Sequence, residues 1–249
     1  MAKYKSLFNI EGTLGEVTFY KSKEGSYVRR KGGVSKNRIL NDPNFVRTRE
    51  NLTEFGNTAK SGKILRRSIN SLLVDAKDSR VTSRLTKVLS KVKNEDLVSP
   101  RGQRSVAIGL TTPEGQAWLK KFDFNNRANL DSVLMAQYSL DTSTGEIVIT
   151  DLVPNVEISS PQGATHVTLN AGFLNVDLST ETADLQLSNL VNLPINGIQT
   201  TATLTPTAPA TGAGQSFYFL KVAFFQEING IQYPLNNGAF NALQLVEIV

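Results

Sequence analysis

The chain has 249 residues, 40% of them hydrophobic, which is enough for a buried core and argues against disorder of the whole chain. It contains no cysteine, so disulfides, thiolate nucleophiles and cysteine zinc sites are excluded. No segment reaches the roughly 18 apolar residues of a membrane helix, and no signal peptide is recognised. We therefore expect a cytoplasmic protein without a membrane span, which can still become part of a particle or surface assembly.

The net charge of +5 conceals an asymmetry along the chain. Residues 1–105 hold 23 Lys and Arg against 10 Asp and Glu, which gives +13. Residues 106–249 hold 4 against 12, which gives −8. This segregation predicts two parts with different electrostatic roles.

Short alternating segments predict a β-hairpin or three-stranded meander over residues 6–30. In EVTFY, Val17 and Phe19 alternate with Thr18 and Tyr20, as in a half-buried strand. A hairpin of this size is marginally stable in water by itself, so we expect it to pack against another element.

The segment NDPNF predicts the start of a helix, with Asn41 or Asp42 as the N-cap and Pro43 in the first turn. Apolar or small residues then follow at helical spacing, namely Phe45, Leu52, Phe55, Ala59, Gly62, Leu65, Ile69 and Leu72. We expect them to form the packed stripe of the helix, with the first three beneath the basic side chains. The glycines leave open whether this run is one helix or two that meet near TAKSG.

A second helix is predicted at SRVTSRLTKVLSKVK. Val81, Leu85, Val88, Leu89 and Val92 share one face, and Lys and Arg cover much of the remainder. This helix is therefore amphipathic and basic.

The basic character ends at SPRGQRS, which makes residues 97–106 the predicted joint. Beyond the joint, Thr111 and Glu114 form a capping-box pattern for a short helix that carries Trp118. We expect this region to connect two parts of the chain, with Trp118 anchoring their junction or serving as an ordinary core residue.

From about residue 134 the sequence predicts strands separated by turns. MAQYSL and EIVIT flank the turn DTSTG, and Asn229-Gly230 suits a type I′ turn between AFFQEI and IQYPL. This spacing favours a sandwich of immunoglobulin-like layout. The predicted fold is α+β, and its parts are a basic hairpin-plus-helix module at 1–105, a connecting segment at 106–133 and an all-β sandwich at 134–249.

Few features of the sequence are typical of an enzyme. His166 is the only histidine and lies in a predicted strand, so we interpret it as structural. Glu50 and Glu54 share a helix face, and the basic residues expected to neutralise them are Arg47, Arg49 and Lys60. No dinucleotide fingerprint, phosphate-binding loop or nucleophile elbow is present. These observations favour a non-enzymatic protein without a cofactor or metal.

The strongest functional signal is YVRRKGGVSKNRILNDPNFVRTRENLTEFG, residues 27–56. Its basic residues are Arg29, Arg30, Lys31, Lys36, Arg38, Arg47 and Arg49. In one interpretation they contact the acidic part of another copy, which predicts a structural protein that self-associates into an oligomer, filament or phage-like particle. In a second, they bind nucleic-acid phosphates without sequence specificity, with Tyr27 available for stacking. In a third, they form a solvated face and the function lies elsewhere.

The stretches GTLGEVTFYKSKEGSYVRRKGG and NDPNFVRTRENLTEFGNTAKSGKILR resemble a family of uncharacterised bacterial proteins that is common in the Bacteroidota. The family pattern is a glycine-bounded hairpin, GxxGxxxxYK, before an Arg-rich helix. The resemblance continues in SPQGATHVTLNAGF and in FFQEINGIQYPLNNGAFNALQLVEIV. It implies a prokaryotic source and a recurrent architecture with a C-terminal β domain, and it brings no activity or functional residues.

Overall fold

The structure is a computed structural model that describes residues 2–3 and 10–249. The chain forms two compact units, which we call the N-terminal unit (residues 1–49) and the C-terminal unit (residues 50–249). Helices make up 30% of the chain and strands 34%. The mixed helix and sheet content that the sequence predicts is thereby confirmed.

The N-terminal unit contains a small antiparallel sheet followed by a short helix. Its strands are β1 (Ala2–Lys3), β2 (Gly12–Leu14), β3 (Val17–Ser22) and β4 (Gly25–Arg30), in the order β1-β4-β3-β2. Helix α1 (Lys36–Asn41) and a 3₁₀ turn (Pro43–Phe45) follow. The predicted meander over residues 6–30 is present from Gly12 onward, and its residues 6–9 lie outside the described part of the chain.

Asp42 caps the 3₁₀ turn, as the sequence predicts, because its carboxylate accepts a hydrogen bond from the Asn44 N–H at 2.9 Å. Helix α2 (Val46–Ser68) begins directly after this turn and runs without interruption past TAKSG. Helix α3 (Asn70–Leu73) follows one residue later. The open question of one helix or two is therefore resolved in favour of one helix up to Ser68.

The buried face of α2 differs from the predicted stripe. Gly62 and Leu65 are buried as expected, but Leu52 and Phe55 are 57% and 60% exposed. Successive residues turn by about 100° around a helix, so Leu52 lies roughly 140° away from Leu65 and Phe55 roughly 80° away. The expectation that Leu52 and Phe55 belong to the packed stripe is therefore wrong. Phe45, in the turn before α2, is partly buried and lies beneath Arg38.

The later helices cover one face of the C-terminal sheet. They are α4 (Val81–Asn94), α5 (Val106–Gly109) and α6 (Pro113–Leu119). The predicted apolar face of α4 is confirmed, since Val81, Leu85, Leu89 and Val92 are all buried. The cap of α6 is Thr112 and not Thr111, because the Thr112 hydroxyl oxygen accepts the Gly115 N–H at 3.0 Å.

Two antiparallel sheets complete the C-terminal unit. Their strands are β5 (Phe122–Asp123), β6 (Ser139–Leu140), β7 (Ile147–Leu152), β8 (His166–Asp177), β9 (Thr182–Leu187), β10 (Val191–Pro194), β11 (Thr200–Leu204), β12 (Gln215–Ile228), β13 (Ile231–Pro234) and β14 (Ala242–Ile248). The remaining short helices are α7 (Leu130–Val133), α8 (Pro154–Glu157) and a 3₁₀ turn (Leu235–Gly238). The seven-stranded sheet has the order β10-β8-β12-β14-β5, with β9 on β8 and β13 on β12, and the three-stranded sheet has the order β11-β7-β6.

Two predicted hairpins are confirmed. β12 and β13 meet at Asn229 and Gly230, whose φ angles of 52° and 78° are both positive, as a type I′ turn requires. The segment DTSTG joins β6 to β7, with Leu140 opposite Ile147. In both places turn chemistry and strand alternation indicate the same local structure.

The seven-stranded sheet is buried on both faces. On β12, Phe217 and Phe219 pack with the helices, whereas Tyr218 and Leu220 pack with the three-stranded sheet. The sheet is therefore the middle of three layers within the C-terminal unit. The predicted all-β sandwich did not include this helical layer, and an immunoglobulin-like layout of the two sheets stays a prediction.

The predicted joint at residues 97–106 is a tethered loop within the C-terminal unit. The buried carboxylate of Asp96 accepts hydrogen bonds from three backbone N–H groups, those of Val98, Ser99 and Ser105. The predicted boundary near residue 105 lies between segments that share one hydrophobic core, which includes Leu89 before it and Leu110 after it.

Glu54 is the second carboxylate that holds this loop, and it is 1% exposed. It accepts the Gly102 N–H at 2.7 Å and pairs with Arg104 at 3.0 Å and with Lys93 of α4. The expected partners of Glu54 were Arg47, Arg49 and Lys60. That expectation is wrong for Glu54, because its side chain lies on the core face of α2, where the partners come from packed segments distant in sequence.

Candidate assembly surface

The N-terminal unit lacks a core of its own among the residues that the structure describes. None of the residues from Ile10 to Arg49 is buried. Leu14 and Leu40, which are apolar, are 72% and 52% exposed. A small sheet without a packed layer is marginally stable in water, so this unit gains the most from covering by a partner.

The two faces of the small sheet differ in chemistry. β3 and β4 pair with Tyr20 opposite Tyr27, and their rings stack with centroids 5.8 Å apart. The guanidinium of Arg29 lies 5.7 Å from the centre of the Tyr20 ring on the same face. The opposite face carries the apolar side chains of Val17, Phe19 and Val28, which are only half-buried. One face thus combines two tyrosine rings with Arg29, and the other carries an apolar strip flanked by Lys21 and Arg30.

Among the seven predicted contact residues, Arg30, Arg38 and Arg49 have ion-pair or backbone partners inside the N-terminal unit. Arg30 pairs with Glu16 at 2.8 Å, and both side chains are exposed. Arg38 pairs with Asp42 at 3.0 Å and lies over the Phe45 ring. The Asn44 N–H, followed by Arg38, lowers the pKa of the Asp42 carboxyl below its usual value.

Arg49 is the third of these residues. Its guanidinium donates to the backbone oxygens of Ile39 and Asp42 at 2.8 and 3.0 Å. It therefore ties α1 to the start of α2, and we assign it a structural role.

The other four predicted contact residues are exposed, namely Arg29, Lys31, Lys36 and Arg47. Lys31 follows the end of β4, and Lys36 opens α1. Within the described part of the chain, neither lysine has a carboxylate within ion-pair distance. These two lysines and Arg29 are the basic side chains best placed for a contact outside the chain.

The charge asymmetry is partly neutralised within the C-terminal unit. Residues 1–49 hold 11 Lys and Arg against 4 Asp and Glu, which gives +7, and residues 50–249 hold 16 against 18, which gives −2. Lys60 pairs with Glu181, which joins α2 to the hairpin between β8 and β9. The positive charge that stays without a counterpart in its own unit is therefore the +7 of the N-terminal unit.

The sequence from 134 to 249, which we call the acidic β region, carries the matching negative charge. It holds nine Asp and Glu and one cation, Lys221, which gives −8. The Lys221 side chain is 12% exposed and pairs with Asp75 at 2.5 Å. The charge of this region is thus almost wholly negative, and two of its nine carboxylates, Glu181 and Glu247, pair with Lys60 and Lys120 of the same unit.

His166 lies at the start of β8, with Nε2 3.6 Å from Glu227 and Nδ1 3.0 Å from the Thr165 hydroxyl. Among the described residues, no group of three His, Asp or Glu side chains is arranged to hold a metal ion.

None of the helices within residues 10–249 combines the length and apolarity needed to cross a lipid bilayer.

Comparison of the chain with family models, curated proteins and solved structures finds no significant match. The resemblance to an uncharacterised Bacteroidota family stays a prediction.

Proposed function

We propose that this chain is a non-enzymatic structural protein that self-associates, with the N-terminal unit of one copy docking on the acidic β region of the next. The observation that carries this proposal is the absence of any buried residue from Ile10 to Arg49 in a unit of charge +7. Covering the half-exposed face of Val17, Phe19 and Val28 contributes about 25 cal/mol for each Å² of apolar surface removed from water.

The charges determine which surface of the partner is favoured. Oppositely charged patches steer two proteins toward each other and select the orientation of contact. A contact between two different surfaces on identical chains continues from copy to copy, so it closes into a ring or extends into a filament. We therefore expect a head-to-tail oligomer that weakens as the salt concentration rises.

The test is a triple charge reversal on the N-terminal unit, Arg29→Glu, Lys31→Glu and Lys36→Glu. The matched control reverses three exposed residues of the C-terminal unit, Lys63, Arg67 and Lys77, so both variants change the net charge by the same amount. Light scattering after size exclusion at low and high salt should show an oligomer for wild type and control, and a monomer for the test variant. Equal dissociation of both variants would contradict the proposal.

A second candidate function is sequence-independent binding of single-stranded nucleic acid on the same unit. The stack of Tyr20, Tyr27 and Arg29 supports it, because aromatic rings beside cations bind bases and phosphates together. Absorbance of the purified protein at 260 and 280 nm, before and after nuclease treatment, separates the two candidates. A monomer that carries nucleic acid and releases it in salt would replace the self-association proposal.

A further inference from the structure

A basic cleft of about 460 Å³ lies between α4, α6 and β5 in the C-terminal unit. Its floor includes Phe122, and Lys87 and Lys91 project from α4 one helical turn apart. Lys120 and Lys121 follow the end of α6 on the other side. Asp123 is its only acidic lining residue in the described part of the chain.

Trp118 lines this cleft and is the only tryptophan of the chain. It is 46% exposed, although it is the largest apolar side chain available for the core. Its position is well defined, because its indole N–H donates to Glu95 at 2.8 Å and the Lys91 ammonium lies 4.0 Å from the ring centre. Both contacts connect α6 to the end of α4 across the predicted joint at residues 97–106, which agrees with the expectation that Trp118 anchors a junction. They also leave part of the ring exposed at a cleft, where binding sites are commonly found.

The cations of the cleft fall into two groups. Arg84 is structural, because it pairs with Asp78 at 2.5 Å and donates to the Asp123 backbone oxygen at 2.8 Å. By contrast, Lys87 and Lys91 have no carboxylate within ion-pair distance among the described residues. These two ammonium groups are available to an anion.

The lysines of the opposite rim are only loosely engaged. Lys120 pairs with Glu247 at 2.5 Å and Lys121 with Asp131 at 3.3 Å, and all four side chains are partly or well exposed. Exposed pairs of this kind contribute little stability, so a ligand anion can take over either lysine.

The backbone at Lys121 fixes the position of the rim. Its φ of 63° lies in the left-handed region, which residues with a side chain seldom adopt. The Lys121 N–H donates to the Leu245 oxygen at 2.8 Å, which holds this conformation in place. Glu181 and Asn229 have similar φ angles in hairpin turns, so this conformation defines the turn between α6 and β5 and is not evidence for a ligand.

We propose that this cleft binds a nucleotide, with the base taking the place of the Lys91 ammonium against the Trp118 ring and the phosphate held by Lys87, Lys91 and the rim lysines. A flat aromatic ring stacks on any base, and ammonium groups bind phosphate as point charges. The nucleotide is either free or one unit of a single strand, since both present the same base and phosphate chemistry. This inference does not depend on self-association through the N-terminal unit.

Trp118 fluorescence, corrected for the light absorbed by the probe, tests the proposal without a label, because the only tryptophan of the chain lines the cleft. The probes are ATP and a single-stranded oligothymidylate. We expect saturable quenching by at least one of them, and the tighter of the two identifies a free nucleotide or a strand as the source. Absence of saturable quenching by both probes would overturn the proposal.

Variants locate the binding groups. The double variant Lys87→Gln and Lys91→Gln should weaken binding at least tenfold, whereas Lys63→Gln on the exposed face of α2 should leave it unchanged. Trp118→Ala, measured with a labelled probe by fluorescence anisotropy, should weaken binding about fivefold or more. Thermal melting confirms that each variant is folded, and a folded double variant with wild-type affinity would refute the assignment.

Discussion

The two units contain similar strands but bury them very differently. In the N-terminal unit, Phe19 lies in an antiparallel strand and is only half-buried, whereas Phe219 in the C-terminal unit has 0% exposure in the same kind of strand. No residue of β3 is buried, whereas β12 lies between a helical layer and a second sheet. Alternation is thus sufficient to predict a strand, but a stable sheet also needs layers that cover it.

The ion pairs of the two units differ in the same way. The side chains of Arg30 and Glu16 are 81% and 74% exposed, whereas Glu54 and its partner Lys93 are 2% and 12% exposed. Exposed pairs are screened by solvent and contribute little, while a buried pair is costly to break. The charge of the N-terminal unit is therefore available to a partner, and that of the C-terminal core is structural.

The largest expected difference comes from truncating one phenylalanine in each unit. Phe219→Ala should lower the free energy of unfolding by about 3–5 kcal/mol, because it leaves a cavity between packed layers. Phe19→Ala should change it by less than about 1 kcal/mol and should instead weaken self-association. Denaturant unfolding and light scattering measure the two effects. A similar loss of stability in both variants would show that the N-terminal unit has a core of its own.

Removal of a buried carboxylate is expected to have the next largest effect. Glu54→Gln leaves Lys93 and Arg104 without their counter-charge and should cost about 3 kcal/mol. The matched variant Glu50→Gln removes a more exposed carboxylate, 3.4 Å from Arg101, and should cost less than about 1 kcal/mol. Equal costs in denaturant unfolding would mean that the loop at residues 97–106 is not held by Glu54.

Acid should destabilise the C-terminal unit through the same carboxylate. Burial would raise the pKa of Glu54, but hydrogen bonds from Arg104, Lys93 and the Gly102 N–H outweigh it and lower the pKa from 4.5 to about 2. A carboxyl with a lowered pKa stabilises the folded state at pH values above its ordinary pKa of 4.5. This stabilisation is lost as the pH falls from about 4.5 to about 2.

Thermal melting between about pH 6 and pH 2 measures this dependence. Asp78 and Asp96 also have lowered pKa values despite burial, so part of the decline should persist in Glu54→Gln. The variant should nonetheless show a shallower decline than wild type. Identical slopes would argue against a charged, paired Glu54.

The smallest expected effect on stability is that of deleting residues 1–45. The described part of this segment contains no buried residue, so the fragment 46–249 should melt within about 2 °C of the full chain. The same deletion should abolish self-association. A fall in melting temperature of more than about 10 °C would place the N-terminal unit within the folded core.

Local features of this fold were predictable because a few neighbouring residues encode them. Asn229-Gly230 supports positive φ at both turn positions, and Asp42 with Pro43 marks a helix start. α4 was predictable as well, since Val81 and Leu85 continue a regular apolar face over more than three turns.

The candidate assembly surface was predictable only in part. The sequence shows that residues 27–56 are basic, but it does not show that Arg49 binds backbone oxygens while Lys36 stays exposed. The basic cleft was missed, because it unites Lys87 and Lys121 from segments 34 residues apart. The sequence also does not show that Trp118 is 46% exposed at this cleft, which only the structure reveals.

The sequence by itself determined the positions of the main turns, strands and amphipathic helices, and the segregation of charge along the chain. Tertiary structure alone decided which face of α2 is buried, that helices cover the seven-stranded sheet, and that Glu54 bonds to Arg104. The physical reason is distance along the chain. Turn and helix signals act within a few residues, whereas burial and ion pairing depend on contacts such as that of Glu54 with Arg104, which are 50 residues apart.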